Sequence, residues 1–249
     1  MKKHIVYTGS RNLYPMMEVA VKSVIANSSV TDIWLLVEDR DIYWVGPVDG
    51  VEFHVLDLRG QKWFPPNGPN MKSKFTYFAL CRSVLCHILP DTAHKVLSLD
   101  VDTIAVEDID PVWDVLPDDR YYFAASKEWH RSKHGLLYCN TGVALYNLDK
   151  LRDGKADEVV EVINRRRYPW VEQDVFNYLC QGRIYPMPPE YNYNKFTAPE
   201  GSGNGGLVPK IVHYAGLQSW ENQPDYRYFE EMSWEEVLER RSRRCESCS

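Results

Sequence analysis

The sequence predicts an α/β protein with a mostly parallel sheet and helices on both faces of that sheet. Strand-like and helix-like segments alternate through the first hundred residues, which is the order of a parallel β-α-β fold. An apolar content of 44% is enough for a sizeable core. The net charge of −6 argues against a general nucleic-acid binder, because such proteins depend on basic residues to neutralise phosphates.

The first half of the chain supplies four strand-like segments and two helical ones. HIVYTG, at residues 4–9, is a short strand that ends in a polar loop, and Tyr14 to Asn27 has apolar residues at helical spacing. A long helix is predicted from Met71 to Leu89, where Pro90 closes it. The other strands are predicted at TDIWLLVE, VEFHVLDL and HKVLSLD.

The second half is less regular. YYFAAS and LLYCNTGVALYNL are strand-like, and helices are predicted over Asp149 to Arg165 and over VEQDVFNYLCQG, which ends at Gly182. A loop rich in Gly, Asn and Pro, YNYNKFTAPEGSGNGG, precedes a final buried strand, VPKIVHYAG. The terminal segment MSWEEVLERRSRR predicts an amphipathic helix that is acidic first and basic last, as the helix dipole favours.

Two aspartates, Asp100 and Asp102, follow the apolar run from Val96 to Leu99. Carboxylates at the end of a buried strand need a cationic partner. In parallel sheets ligands bind beyond the carboxyl ends of the strands, where Thr8 and Ser10 are also expected. Because Mg²⁺ takes one or two carboxylates and leaves its other positions to water and phosphates, the Asp-Val-Asp stretch predicts a divalent metal that holds a diphosphate.

The same stretch has a second interpretation, as a phosphorylated aspartate. An apolar run followed by DVDTI also resembles the nucleophile motif of haloacid-dehalogenase-like phosphatases. That family has Gly and then Thr after the second Asp, and the motif lies in its first strand. Here Thr103 follows Asp102 directly, and a long β-α-β region comes before the motif. Asp118 and Asp119 follow a proline turn and not a strand, so the paired acidic residues of that family are not evident.

Five segments form an ordered set along most of the chain, from about Ile5 to Trp220: IVYTGSRNLYPMMEVAVKSVIANS, LCRSVLCHILPDTAHKVLSLDVDT, YCNTGVALYNL, EQDVFNYL and KIVHYAGLQSW. Taken together they resemble the retaining glycosyltransferases of family 8, the group that includes glycogenin and bacterial lipopolysaccharide galactosyltransferases. The resemblance implies a GT-A-type Rossmann-like fold. It also implies metal-dependent transfer of a hexose, with retention of configuration, from a nucleotide diphosphate sugar to a glycan, lipid or protein acceptor.

The resemblance implies roles for individual residues. Asp100 and Asp102 match the metal-binding Asp-x-Asp of the family, and His213 matches the histidine that completes the site, a ligand that suits Mn²⁺ better than Mg²⁺. Gln173 and Asp174 match the last two residues of a catalytic Asp-Gln-Asp triplet. The donor, expected to be UDP-glucose or UDP-galactose, would contact Thr8, Ser10, Asn12, Tyr14, Arg82, Asp100, Val101, Asn140, Gly142, Gly216 and Gln218.

The chain departs from the family pattern at several points. Glu172 replaces the first Asp of the triplet, and the lysine of the closing motif is missing, with Lys210, Lys195 and Arg227 as candidate substitutes. These departures keep open a catalytically degenerate protein that binds nucleotide sugar without turning it over. The acceptor stays open too, although Tyr191 and Tyr193, in the Asn-rich loop, are candidate exposed rings for stacking against sugar.

We expect one GT-A domain over residues 1–249. Residues 1–105 would bind the nucleotide sugar, 106–222 would form the acceptor and catalytic half, and 223–249 a terminal helix and tail. The N-terminal apolar stretch is too short for a signal peptide and no stretch approaches a transmembrane span, which favours a cytoplasmic protein without an integral membrane segment. A single pair, Cys245 and Cys248, is a weak metal or redox signal, and the other four cysteines fall in apolar runs.

Overall fold

A seven-stranded sheet lies at the centre of the computed structural model, which describes residues 2–73, 75–198 and 207–247, apart from the side chains of 245–247. Its strands are β1 (His4–Gly9), β2 (Asp32–Val37), β3 (Glu52–Asp57), β4 (Lys95–Leu99), β6 (Phe123–Lys127), β7 (Cys139–Asn147) and β8 (Ile184–Met187), while β5 (Thr103–Ala105) and β9 (Ile211–His213) form a separate pair. The strand order is β3-β2-β1-β4-β7-β6-β8, and β7 runs antiparallel to β4 and β6. The other strand pairings within this seven-stranded sheet are parallel, so the predicted mostly parallel sheet is confirmed.

Helices cover both faces of the sheet, as predicted. They are α1 (Tyr14–Ala26), α2 (Thr76–Leu80), α3 (Leu85–Ile88), α4 (Leu148–Leu151), α5 (Lys155–Arg165), α6 (Val171–Leu179), α7 (Pro224–Glu231) and α8 (Trp234–Ser247). Ile5 and Tyr7 of β1 join a core cluster with α1, α7 and α8, whereas Val6 joins a second cluster with α2, α5 and α6. This alternation follows from the two-residue side-chain period of a strand, and burial on both sides explains why the strand segments are almost wholly apolar.

The predicted long helix over Met71 to Leu89 is wrong. The chain turns before α2, and a 3-10 segment, Cys81–Val84, separates α2 from α3. The Asn70 side chain holds the preceding turn by donating to the carbonyls of Ile163 and Arg166, at 2.6 and 2.8 Å. Its Oδ1 also accepts from the Tyr168 N–H at 2.9 Å. These tertiary bonds outweigh the local helical preference of the segment.

The predicted helix over Asp149 to Arg165 is also interrupted. Gly154 has φ +101°, a left-handed conformation that glycine adopts without steric cost, and it separates α4 from α5. The final buried strand is confirmed as β9, but it pairs with β5 outside the main sheet. The terminal amphipathic helix is confirmed as α8, and its Trp234 indole donates to Glu18 of α1 at 3.2 Å.

Two expectations fall on residues outside this description. They are the thiols of Cys245 and Cys248 and the Gly-rich end of the loop, residues 199–206. Within the described ranges, none of the helices has both the length and the apolar composition needed to cross a membrane.

Candidate active site

The candidate active site lies beyond the carboxyl ends of β1 and β4, at the edge of the sheet where parallel folds bind ligands. Just after β4, the Asp100 N–H donates to the Gly142 carbonyl at 2.8 Å. The Asp100 carbonyl accepts the Thr103 hydroxyl at 2.6 Å, which closes a turn into β5. Because β5 pairs antiparallel with β9, Thr103 lies opposite His213. This pairing brings His213 next to Asp102, far away in sequence.

Asp100, Asp102 and His213 form a group of three side chains that could hold a metal ion, and one ligand atom from each lies within 4.8 Å of the others. His213 Nε2 is 3.4 Å from Asp102 Oδ1 and 3.7 Å from Asp100 Oδ2. These separations are long for hydrogen bonds and leave space for a cation between the three atoms. A set of two carboxylates and one imidazole suits Mn²⁺.

A buried asparagine determines which nitrogen of His213 faces the carboxylates. His213 Nδ1 lies 2.8 Å from Asn192 Oδ1. The orientation of the Asn192 amide is assigned from its other bonds, since its Nδ2 donates to Asn140 Oδ1 at 3.0 Å and its Oδ1 accepts from Asn194 Nδ2 at 2.9 Å. His213 Nδ1 therefore carries a proton and donates it, which leaves Nε2 to bind a metal.

Burial and charge oppose each other in this group. Burial lowers the pKa of His213, but the Asp102 carboxylate, helped by Asp100, raises it above the ordinary value. Burial raises the pKa of Asp100 despite the neighbouring Arg82 guanidinium. The pKa of Asp102 is held low, because His213 outweighs the effect of burial on that carboxyl group. A cation between the carboxylates would relieve the cost of burying them.

Gly142 leaves the space that the three side chains need. A Cβ at this position would lie 2.2 Å from His213 Cε1 and 2.8 Å from Asp100 Oδ2. Both distances are far below van der Waals contact. The glycine in the middle of β7 is therefore required by the close approach of the ligands, and the residues present fit a divalent cation.

Arg82 is a buried guanidinium that joins two carboxylates beneath the cleft. Its Nη1 donates to Asp100 Oδ1 at 2.8 Å and to the Thr141 carbonyl at 2.9 Å, and its Nη2 lies 2.8 Å from Glu172 Oε1. Burial lowers the pKa of Arg82, but the two carboxylates raise it by more. The pKa therefore lies above its ordinary value, and the group stays charged. Glu172 is only 1% exposed, and among the described residues its Oε2 has no hydrogen-bond partner. Burial raises the pKa of Glu172 to about 7.

Gln173 and Asp174 have different surroundings. Gln173 Oε1 accepts from the Thr141 N–H at 3.0 Å, and its Nε2 donates to the Tyr138 hydroxyl at 3.1 Å. Asp174 accepts from that same hydroxyl at 2.6 Å and from the Trp170 N–H at 2.9 Å. Gln173 lines the cleft, whereas Asp174 lies behind Tyr138 and acts on the cleft only through neighbouring groups.

The cleft above these residues has a volume of about 510 Å³, within the usual range of small-molecule sites. Most of the predicted site residues line it: Thr8, Ser10, Asn12, Arg82, Asp100, Val101, Asp102, Asn140, Gly142, Gln173, His213 and Gly216. Three predicted residues are not part of this lining. The Tyr14 hydroxyl is hydrogen-bonded to the backbone of Glu38 and Asp39. Gln218 is an exposed loop residue, and Asp174 bonds to Tyr138 and Trp170 as described above.

Several lining residues were not predicted. Glu128 is 3% exposed, accepts from Asn140 Nδ2 at 2.8 Å and pairs with Arg131 at 3.2 Å. Trp170 and Phe196 add aromatic rings to the cleft wall. No local pattern marks these residues, because they come from separate loops. The expectation for Tyr191 is wrong, since this ring is only 5% exposed and packs in the core.

A second group of possible metal ligands lies at the opposite edge of the sheet, where β2 and β3 begin. It consists of Asp32, Glu52 and His54. The Lys2 ammonium lies 3.1 Å from Asp32 and 3.7 Å from Glu52, and His54 Nε2 lies 3.0 Å from Asp32. Since the Lys2 ammonium already lies against both carboxylates, the contacts support no metal assignment here.

The mostly parallel sheet, with this group of possible metal ligands beyond its strand ends, is the arrangement expected of a GT-A fold. The chain belongs to glycosyl transferase family 8, whose model matches residues 4–223. This membership favours the transferase interpretation of Asp-Val-Asp over the phosphatase alternative.

Individual relatives agree with this assignment. Glycosyltransferase GlyB of Streptococcus pneumoniae is 21% identical over 96% of this chain and 64% of its own length. The crystal structure of GlyE from Streptococcus pneumoniae has a TM-score of 0.74 at 19% identity, and covers 98% of this chain and 64% of that one. The galactosyltransferase LgtC, solved with donor and acceptor sugar analogues, has a TM-score of 0.63 at 20% identity, and covers 95% of this chain and 99% of that one. The chain thus spans about two thirds of the length of GlyB and GlyE.

Proposed function

We propose that the protein transfers a hexose, with retention of configuration, from a nucleotide diphosphate sugar to a glycan, lipid-linked or protein acceptor, and that it needs a divalent metal to do so. A UDP-sugar such as UDP-glucose or UDP-galactose is the proposed donor. The observation that carries this proposal is the convergence of Asp100, Asp102 and His213 within 4.8 Å at the floor of the cleft. A nucleoside diphosphate is a good leaving group only when its developing charge is stabilised.

Asp100, Asp102 and His213 Nε2 would hold the metal, with Mn²⁺ preferred over Mg²⁺ because of the imidazole. Bound there, a divalent cation supplies Lewis-acid stabilisation of the diphosphate. Arg82 keeps Asp100 in position and shields it from Glu172. Thr8 and Gly9 of β1 and Ser10 just after it would contact the nucleotide.

Retention of configuration requires either a nucleophile beneath the anomeric carbon or attack by the acceptor on the face that the leaving group departs from. Gln173 is a poor nucleophile, and the Asp174 carboxylate already accepts from Tyr138 and Trp170. Glu128 is engaged by Asn140 and Arg131. We therefore favour front-face attack, in which the Gln173 amide oxygen and the nearby carboxylates stabilise the oxocarbenium-like transition state.

We also propose a single catalytic domain over residues 1–249, with the boundaries given above. The cytoplasm is the proposed location, because the four described cysteines (Cys81, Cys86, Cys139 and Cys180) are free thiols, as is usual in reducing compartments.

The first experiment compares the wild-type protein with Asp100→Asn, Asp102→Asn and His213→Ala, each assayed for sugar release and transfer with Mn²⁺. Metal-dependent turnover should fall at least about a hundredfold in each variant, the loss expected when a reacting group is misplaced by about 1 Å. Activity that survives in all three without metal dependence contradicts the mechanism. Metal-dependent binding of nucleotide sugars without any release of sugar would instead identify a degenerate binding protein.

The donor can be found by thermal shift with a panel of nucleotide sugars and Mn²⁺. A donor present at about a hundred times its dissociation constant stabilises the folded state by about 2.7 kcal/mol. For a protein of this size that corresponds to a rise in melting temperature of roughly 5–10 °C.

A further inference from the structure

The lining of the cleft has more negative than positive charge. Four carboxylates and two guanidinium groups lie along it: Asp100, Asp102, Glu128, Glu172, Arg82 and Arg131. Both arginines already pair with these carboxylates. A divalent cation would offset the formal excess of two negative charges, with the histidines neutral, but a nucleoside diphosphate adds more. Charge also grows on the leaving phosphate as its bond to the sugar breaks, so the site needs another cation.

The ammonium group of Lys195 lies close to a residue of the cleft lining. Its Nζ lies 3.9 Å from the position that a Cβ on Gly216 would occupy. Gly216 lines the cleft and follows the metal-ligand candidate His213 by three residues. Lys195 is exposed, its ammonium lies 5.0 Å from the centre of the Phe196 ring, and it makes no ion pair within the described part of the chain. Its charge is therefore available to a ligand.

The backbone around Lys195 is fixed to the site. The His213 N–H donates to the Tyr193 carbonyl at 3.0 Å, which ties the segment to β9. Asn194 Oδ1 accepts from the Phe196 N–H at 2.8 Å and so holds the turn that contains Lys195. The backbone of Lys195 is therefore held in place, while its flexible side chain is left to bind a phosphate.

The other basic residues considered as substitutes for the missing lysine are engaged elsewhere. Lys210 precedes β9 at the end of that strand opposite to His213, and its Nζ lies 5.2 Å from the centre of the Tyr191 ring. Arg227 pairs with Glu230 and donates to Asn222 Oδ1 at 2.9 Å. Lys195, Lys210 and Arg227 all lie outside the cleft lining, but the Lys195 ammonium is next to Gly216, which is part of it.

We propose that Lys195 binds the phosphate next to the sugar and neutralises the nucleoside diphosphate as it leaves, an inference that rests on the proposed function. The bond between the anomeric carbon and the phosphate oxygen breaks, and its electron pair stays on that oxygen. The acceptor oxygen forms the new bond to the anomeric carbon, and its proton passes to the departing phosphate. The Lys195 ammonium keeps its own protons and stabilises the negative charge through a charge-assisted hydrogen bond.

The test measures nucleotide affinity, so that it does not depend on turnover. Wild-type protein, Lys195→Met and Lys195→Arg are titrated calorimetrically with UDP and GDP, and with UMP and GMP, in the presence of Mn²⁺. Lys195→Met should weaken diphosphate binding about tenfold, the effect of losing one hydrogen bond to a charged group, and leave monophosphate binding unchanged. Lys195→Arg should retain diphosphate binding. Lys210→Met is the matched control and should bind like the wild type.

The outcomes separate this inference from the proposed function. If the wild type binds UDP or GDP with Mn²⁺ and Lys195→Met binds that diphosphate equally well, the role of Lys195 is refuted and the proposed function stands. If the wild type binds neither diphosphate, the proposed function fails and the inference fails with it. Since Lys195 is exposed, its variants should unfold at the wild-type temperature, and a monophosphate affinity that also falls would point to a general distortion and refute the specific role.

Discussion

Replacing Gly142 with alanine should destroy the metal site while leaving the fold in place. The added Cβ would lie 2.2 Å from His213 Cε1, whereas two carbon atoms pack at about 3.5 Å, so the imidazole must move by more than about 1 Å. Metal sites tolerate shifts of only about 0.2 Å in ligand distances. We therefore expect Mn²⁺ affinity to be lost and turnover to fall at least about a hundredfold.

The same clash determines the expected change in stability. Adding atoms to a packed interior ordinarily costs about 1–3 kcal/mol, which corresponds here to a fall in melting temperature of roughly 2–12 °C. Mn²⁺ affinity is measured by calorimetry and stability by thermal unfolding without metal. Gly60→Ala is the matched control, because a Cβ there meets no atom within 4 Å and its φ is not positive.

Wild-type Mn²⁺ affinity in Gly142→Ala would refute this reasoning. A double variant separates the clash from a general effect of the substitution. When His213 is alanine, the added methyl group no longer meets the ring, so Gly142→Ala should cost less stability than it does in the wild type. Metal binding should not return, because a ligand is still missing.

Three other predictions concern the same site. Asn192→Ala should weaken Mn²⁺ binding by about 10–100-fold, since it removes the acceptor that orients His213, and unchanged affinity in calorimetry would contradict this. The Mn²⁺ affinity of the wild type should keep rising as the pH increases above 6.5, the ordinary pKa of histidine, because the metal must displace a proton from His213, whose pKa is raised; a flat profile would contradict it. Glu172 has a folded-state pKa of about 7 against 4.5 for the free group, so the folded state holds its proton more tightly than the unfolded state does. The free energy of unfolding should therefore fall as the pH rises from about 4.5 to 7, and Glu172→Gln should reduce this fall in denaturant titrations, whereas an identical slope in both proteins would refute it.

The sheet could be predicted from the sequence because its strands carry local signals. Continuous apolar runs such as Asp32–Val37 are buried on both faces, and their alternation with helices sets a parallel order. The position of Asp100 at a strand end followed from the same pattern. The interrupted helix after Asn70 could not be predicted, since the bonds that break it come from residues on α5 and beyond it, far along the chain.

The composition of the candidate site was predictable only in part. The Asp-Val-Asp stretch pointed to a cation by its chemistry, but His213 entered only through the resemblance to family 8. Its proximity to Asp102 depends on the pairing of β5 with β9, and no local pattern announces a three-residue strand pair. Glu128 and Asn192 were missed for the same reason: each is an ordinary polar residue until the fold brings Glu128 to the cleft wall and Asn192 behind His213.

Glu128 and Asn192 act together, because they help to determine which group donates and which accepts in the hydrogen bonds behind the candidate metal site. The Glu128 carboxylate, paired with Arg131, can only accept, so the Asn140 amide turns its Nδ2 toward it at 2.8 Å. Asn140 Oδ1 then faces Asn192 Nδ2 at 3.0 Å, which leaves Asn192 Oδ1 to accept from His213 Nδ1 at 2.8 Å. Each amide has one orientation that satisfies both of its neighbours, and the last of them keeps a proton on His213 Nδ1. His213 Nε2 therefore faces the two aspartates and would give up its proton when a metal binds. The Gly142 N–H donates to Asn140 Oδ1 at 3.0 Å and favours the same orientation. The carboxylate and this N–H together turn His213 Nε2 toward the aspartates, because amide groups transmit the direction of the bonds without adding charge.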